Sequence, residues 1–137
     1  MKILCAIDPS LSAMKAAEKA AELAKKEGAE LTYLAVAEGF EDMESIFGKQ
    51  ATEKLREEAG KALDKAKEFA AKAGVKAKIS LINGTAPEDL IAEKAEKGGF
   101  DLVVMGTRGK KGSKRLTIGS VASGVVALAP CSVLVVR

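Results

Sequence analysis

Five short apolar runs alternate along this chain with four stretches whose apolar residues recur at helical spacing, and no other feature restricts the fold as much. Residues 2–7 (KILCAI) are closed by Asp8-Pro9 and have the length and character of a buried strand. Over residues 10–26, Leu11, Met14, Ala17, Ala21 and Ala24 share one helical face, and Gly28 follows as a terminator. Residues 30–36 predict a second strand. After a polar connection at 37–48, Leu55, Ala59, Ala62, Leu63, Ala66, Phe69, Ala70 and Ala73 form a long helical stripe stopped by Gly74. A third strand is predicted over 75–82. The run Gly84-Thr85-Ala86-Pro87-Glu88 then predicts a helix start in which Thr85 caps and Glu88 completes the box, with Gly98-Gly99 at its end. Residues 100–105 predict a fourth strand, 120–128 a helix and 131–136 a fifth strand.

The order βαβαβαβαβ requires a parallel sheet with right-handed crossovers covering both faces, a three-layer α/β/α sandwich. The chain's 137 residues suit one domain spanning 1–137, large enough to bury a core without disulfides or metals. With no run of eighteen apolar residues and an N-terminal apolar run cut short by Asp8-Pro9, the chain is expected to be neither membrane-spanning nor secreted. Cys5 and Cys131 fall in strand-like runs, without a C-x-x-C pair and without any histidine. They read as small core residues in a reducing cytosol.

In open α/β sheets, ligands bind beyond the carboxyl ends of strands, where the winding reverses. The segment after the fourth strand carries Gly106-Thr107-Arg108-Gly109 and, nine residues on, Gly119-Ser120. The spacing G-x2-G-x9-G-S arises by chance in roughly one such chain per hundred, so its place between a strand and a helix is what makes it informative. Gly106 is expected to let the chain leave the strand at positive φ, and Gly109 to let backbone amides approach an anion. Gly119 and Ser120 open a helix whose first N–H groups and positive dipole end favour a phosphate.

Charge is distributed to match. The net charge is +3, yet no acidic residue follows Asp101 and six basic residues do. Five of the six, Arg108, Lys110, Lys111, Lys114 and Arg115, crowd the segment between Gly106 and Gly119. A compact anion fits this pattern better than a long nucleic acid, which needs a wider basic face and stacking aromatics. Four Phe and one Tyr supply few of those. Asp8, after the first strand, would repel a phosphate unless a cation or a ribose hydroxyl intervenes; its other reading is a cap for the first helix. In the polar connection, Phe40, Met43, Ile46 and Phe47 either pack or cover a ligand.

Asp8, Gly84-x-x-Pro87, Val104-Met105-Gly106-x-x-Gly109 and Gly119-Ser120-Val121-Ala122 together resemble the universal stress protein family in its ATP-binding branch, over essentially the whole chain. The resemblance implies a five-stranded parallel sheet in the order 3-2-1-4-5, of the adenine nucleotide α-hydrolase type. It further implies a cytoplasmic homodimer paired through the last strand. It implies ATP at the ends of strands one, two and four, with Ile7, Asp8 and Pro9 beside the ribose or a Mg2+ ion and Val36 against adenine. Met105, Gly106 and Arg108 would flank the nucleotide, while Gly109, Gly119, Ser120, Val121 and Ala122 would lie at the phosphates. Ala122 departs from the pattern, since ATP-binding members often carry a further hydroxyl there.

The expected role is a nucleotide-binding regulator in a stress response, with at most slow ATP hydrolysis. The chain has neither histidine nor a G-x-x-x-x-G-K-[ST] loop for efficient phosphoryl transfer. An adenylyl-transferring enzyme of the related fold would want a Ser/Gly-rich loop after strand one, where Asp8-Pro9-Ser10 stands. A phospho-receiver would want an acceptor Asp after strand three, where Asn83-Gly84 stands, and a flavin carrier would want aromatics. A nucleotide-independent dimeric interaction protein is the remaining alternative.

Overall fold

The computed structural model describes residues 1–38, 48–107 and 118–137. Its elements are β1 (Lys2–Ile7), α1 (Leu11–Glu27), β2 (Glu30–Glu38), α2 (Lys49–Lys72), β3 (Ala77–Gly84), α3 (Pro87–Lys97), β4 (Leu102–Gly106), α4 (Ser120–Leu128) and β5 (Ser132–Val136). All strand pairs are parallel and the order is β3-β2-β1-β4-β5. The apolar alternation therefore produced the three-layer sheet that the sequence required.

Residue parity in the central strands sorts the core into two halves. Ile3, Cys5 and Ile7 of β1 face α1 and α2, together with Leu31, Tyr33 and Ala35 of β2. Leu4, Leu34, Val103 and Met105 face α3 and α4. Such period-two sorting onto two covered faces leaves the central strands almost wholly apolar. Against the first face α1 presents Ala13, Ala16, Ala17, Ala20, Ala21 and Ala24, all buried. Side chains this small let the helix axis approach the sheet closely, and a larger residue there would overpack the layer at a cost of about 1–3 kcal/mol. The Tyr33 hydroxyl, buried in the same layer, donates to the Ala17 carbonyl oxygen at 2.9 Å. Burial pushes its ionisation upward, with a smaller contribution from Cys5.

Several local expectations change: the third strand spans 77–84 rather than 75–82, and the fourth 102–106 rather than 100–105. The start of α3 lies at Ala86, with no side-chain cap, and Pro87 occupies the first turn. Proline's fixed φ nucleates that turn, and its ring holds the preceding residue out of the helical region, so the Thr85–Glu88 capping box does not form. Gly84 belongs to β3 instead, where a side chain would run into Leu90. The second strand also continues past Val36 to Glu38, because β3 remains beside it as far as the Glu38–Gly84 pair. Phe40, Met43, Ile46 and Phe47 lie outside the described residues. Among the described residues no helix is long and apolar enough to cross a membrane.

Candidate nucleotide site at the strand carboxyl ends

The strand order reverses direction at β1, whose neighbours β2 and β4 are reached by crossovers on opposite faces. In open α/β sheets such a reversal, here beyond the carboxyl ends of β1 and β4, is where ligands bind. Ile7 ends β1 in the core, at 4% exposure, and Asp8 follows it, half-buried. Asp8 Oδ1 accepts a hydrogen bond from the Ser10 backbone N–H at 2.7 Å. Ser10 in turn caps α1, its hydroxyl oxygen accepting from the Ala13 N–H at 3.1 Å. The capping role that Asp8 offered is thus filled by Ser10, and Asp8 braces the turn one step outside the helix. Pro9 is exposed at the rim.

Gly106 ends β4, and the reason for glycine differs from the one its sequence suggests. Among the described residues positive φ is confined to Gly28, Gly48, Gly74 and Gly99. At Gly106 the constraint is contact: a Cβ would lie 2.7 Å from the Ser12 carbonyl carbon and 2.9 Å from the Ser12 Cβ. The bare backbone lets the end of β4 touch the first turn of α1. Asp8, Ser12 and Gly106 therefore share one small region, although sequence reasoning did not single out Ser12.

Thr107, also missed, ties down both ends of the loop between β4 and α4. Its N–H donates to the Val136 carbonyl oxygen at 3.0 Å, and its own carbonyl accepts from the Gly119 N–H at 2.5 Å. The chain that departs after Thr107 thus returns to the same residue before α4 begins. Arg108 and Gly109, with Lys110, Lys111, Lys114 and Arg115, lie outside the described residues.

Gly119 is the N-cap of α4, with extended backbone (φ −73°, ψ 168°) and no side-chain cap. The first helical bond runs from the Ser123 N–H to the Gly119 carbonyl at 3.0 Å. The N–H groups of Ser120, Val121 and Ala122 consequently have no partner within the helix, and their summed dipole is positive. No acidic residue occupies the first turn of α4. Ser120 is exposed, Val121 half-buried and Ala122 buried at 3%. These orphan donors beside Gly106, Thr107 and Asp8 suit an anionic group better than a neutral one.

Val36 is half-buried one residue past Ala35, the partner of Ile7, and so projects beyond the end of β1. Met105 is 5% exposed, in the core below Gly106. The predicted residues that are described thus gather at one end of the sheet, from Val36 through Asp8 to Ser120. Among the described residues no three metal-ligating side chains cluster.

The model of the universal stress protein family matches residues 1–137. The chain is 38% identical over 143 residues to universal stress protein MJ0531 of Methanocaldococcus jannaschii, covering 99% of this chain and 81% of that one. It is 36% identical over 146 residues to universal stress protein YxiE of Bacillus subtilis, covering 99% and 98%. Among solved structures, universal stress protein UspA from Lactobacillus plantarum superposes with a TM-score of 0.89 at 27% identity, covering 100% and 97%. More distant chains share the fold. The Archaeoglobus fulgidus universal stress protein in complex with dAMP has a TM-score of 0.73 at 24% identity, covering 100% and 98%. An Arabidopsis thaliana family protein with AMP bound has a TM-score of 0.74 at 19% identity, covering 99% and 90%.

Proposed function

The chain belongs to the universal stress protein family, and from that premise we propose that it is a cytoplasmic regulator that binds an adenine nucleotide, ATP with Mg2+, at the carboxyl ends of β1, β2 and β4. One observation carries the reading. The uncapped amino end of α4 is tied to Thr107, the residue after Gly106, at the point where the sheet reverses its winding. The nucleotides held by more distant chains of this fold support the ligand class.

Ser120, Val121 and Ala122 hold phosphate oxygens through their backbone N–H groups, aided by the Ser120 hydroxyl and by Arg108 and Gly109. Val36 borders the adenine, while Ile7, Asp8 and Pro9 line the ribose side. Met105 and Gly106 form the floor between them. When bound, Mg2+ supplies positive charge that offsets the phosphates, with Asp8 as the nearby protein carboxylate. The regulator acts as a homodimer through β5, an edge strand whose Leu134 is 36% exposed. An apolar strand edge of this kind needs a cover. Any ATP hydrolysis is at most slow, since the chain has neither histidine nor a G-x-x-x-x-G-K-[ST] loop for efficient phosphoryl transfer.

The test is a calorimetric titration of nucleotide-stripped protein with MgATP, beside a Gly109→Val/Gly119→Val double variant whose fold is checked by circular dichroism. Saturable binding that disappears in a folded variant is expected, with ADP release in the same samples giving any hydrolysis rate. Absence of binding by the parent overturns the nucleotide reading and leaves the nucleotide-independent dimer.

A further inference from the structure

The amino ends of α3 and α4 lie side by side, and a single glycine sets their spacing. A Cβ at Gly124 would lie 2.8 Å from the Glu88 Cβ, 2.9 Å from its Cγ and 3.8 Å from its Cδ. The stem of Glu88 therefore occupies the notch that Gly124 leaves on α4. Both helices cover the same face of a parallel sheet and return from carboxyl to amino ends, so they run in the same direction. Glu88 stands in the first turn of α3, whereas Gly124 is in the second turn of α4. The first turn of α4 consequently projects past Glu88 toward the carboxyl ends of the strands. The Glu88 Cδ thus stays beside Gly124, which lies about 6 Å along the axis of α4 from Ser120, and the lean of helical side chains toward their own amino end turns the carboxylate to the Ser120 side.

We propose that Glu88 is a specificity-determining residue that grades nucleotides by the number of charges at the amino end of α4. This rests on the nucleotide reading above. No acidic residue of α4 itself occupies that turn, so Glu88 supplies from α3 a negative charge that partly offsets the helix dipole. A nucleotide with more phosphate charge is opposed more strongly, and a Mg2+-neutralised one less. The charge is held outside the binding turn by packing against Gly124, so it tunes the site without filling it.

The test compares wild type, Glu88→Gln and Asp89→Asn by titration with AMP, ADP and ATP, each with and without Mg2+, at low and high salt. Asp89 is the other carboxylate of that turn and is exposed, so its variant repeats the charge change without the contact on α4. Expected for Glu88→Gln is a rise of roughly fivefold in the ratio of ATP to AMP affinity at low salt. The rise shrinks with Mg2+ or salt and is absent in Asp89→Asn. Equal changes for all three nucleotides, or the same ratio change in both variants, overturns the proposal while leaving the nucleotide reading intact. Failure of wild type and both variants to bind any of the three overturns both.

Discussion

The two ends of the β1–β4 pair solve opposite problems. At the amino end the strands are tied to each other: the Lys2 N–H donates to Asp101 Oδ2 at 2.8 Å, and the Asp101 N–H donates to the Lys2 carbonyl at 2.8 Å. The Lys2 ammonium also donates to the Gly98 carbonyl and sits 4.8 Å from the centre of the Phe100 ring. At the carboxyl end the same strands stop short, and the next helix begins with three N–H groups that have no partner within it. One end spends its polar groups on holding the fold, while the other leaves helix donors without an intrahelical partner. Neighbouring strands can thus be stapled at one end and open at the other, because the winding reversal separates their crossovers only on the carboxyl side.

The largest expected effect comes from closing the open end. Gly106→Ala forces a methyl against the Ser12 backbone, lowering stability by about 1–3 kcal/mol and pushing β4 and α1 apart. Urea unfolding and nucleotide titration together should show a loss of stability and a fall in affinity of more than about tenfold, of the order expected when positioned donors are displaced. Normal affinity in this variant would break the link between Gly106 and the site.

Asp101→Ala is the matching change at the stapled end. It should cost about 1 kcal/mol in urea unfolding, the worth of one hydrogen bond, with nucleotide affinity within about twofold of wild type. A comparable loss of affinity would show that the ends are coupled.

The smallest effect concerns Cys131, which precedes β5 at the amino end. Burial chiefly, and the Asp101 carboxylate next, push its thiol above the ordinary range, so little thiolate is present near neutral pH and alkylation speeds up as pH rises. Asp101→Asn removes the second contribution and should speed iodoacetamide labelling of Cys131 at pH 8 by about twofold, read by mass spectrometry. Cys5, wholly buried and pushed up further by that burial, should label only as the protein unfolds. It therefore serves as an internal control for global opening.

Much of the fold was legible because it is written in local patterns. Met14 to Ala24 and Leu55 to Ala73 carried their helical periods openly, although Leu11, read onto the same face, is 74% exposed, and Gly28 and Gly74 terminate those helices at φ 63° and 78°, as their positions suggested. The Gly119-Ser120 helix start was equally plain. The start of α3 was misread because two start signals compete within four residues, and the geometry of Pro87 outweighs the hydroxyl of Thr85. Ser12 and Thr107 were invisible as site residues. Ser12 sits on a helix that reads as ordinary, and Thr107 acts through its backbone, which no side-chain pattern records.

Periodicity, chain punctuation and the G-x2-G-x9-G-S spacing were enough to specify the alternating architecture and to point to the end of β4, since each depends on residues close together in the chain. Which atoms meet across the chain was decided by packing. Gly106 is required by Ser12, 94 positions earlier, and Gly124 by Glu88, 36 positions earlier. The backbone of Thr107 is tied to Val136 in β5. Such contacts depend on how layers stack and how closely two backbones approach. A one-dimensional pattern carries the need for glycine at those positions, but the neighbour that imposes it exists only once the sheet and its helices have assembled.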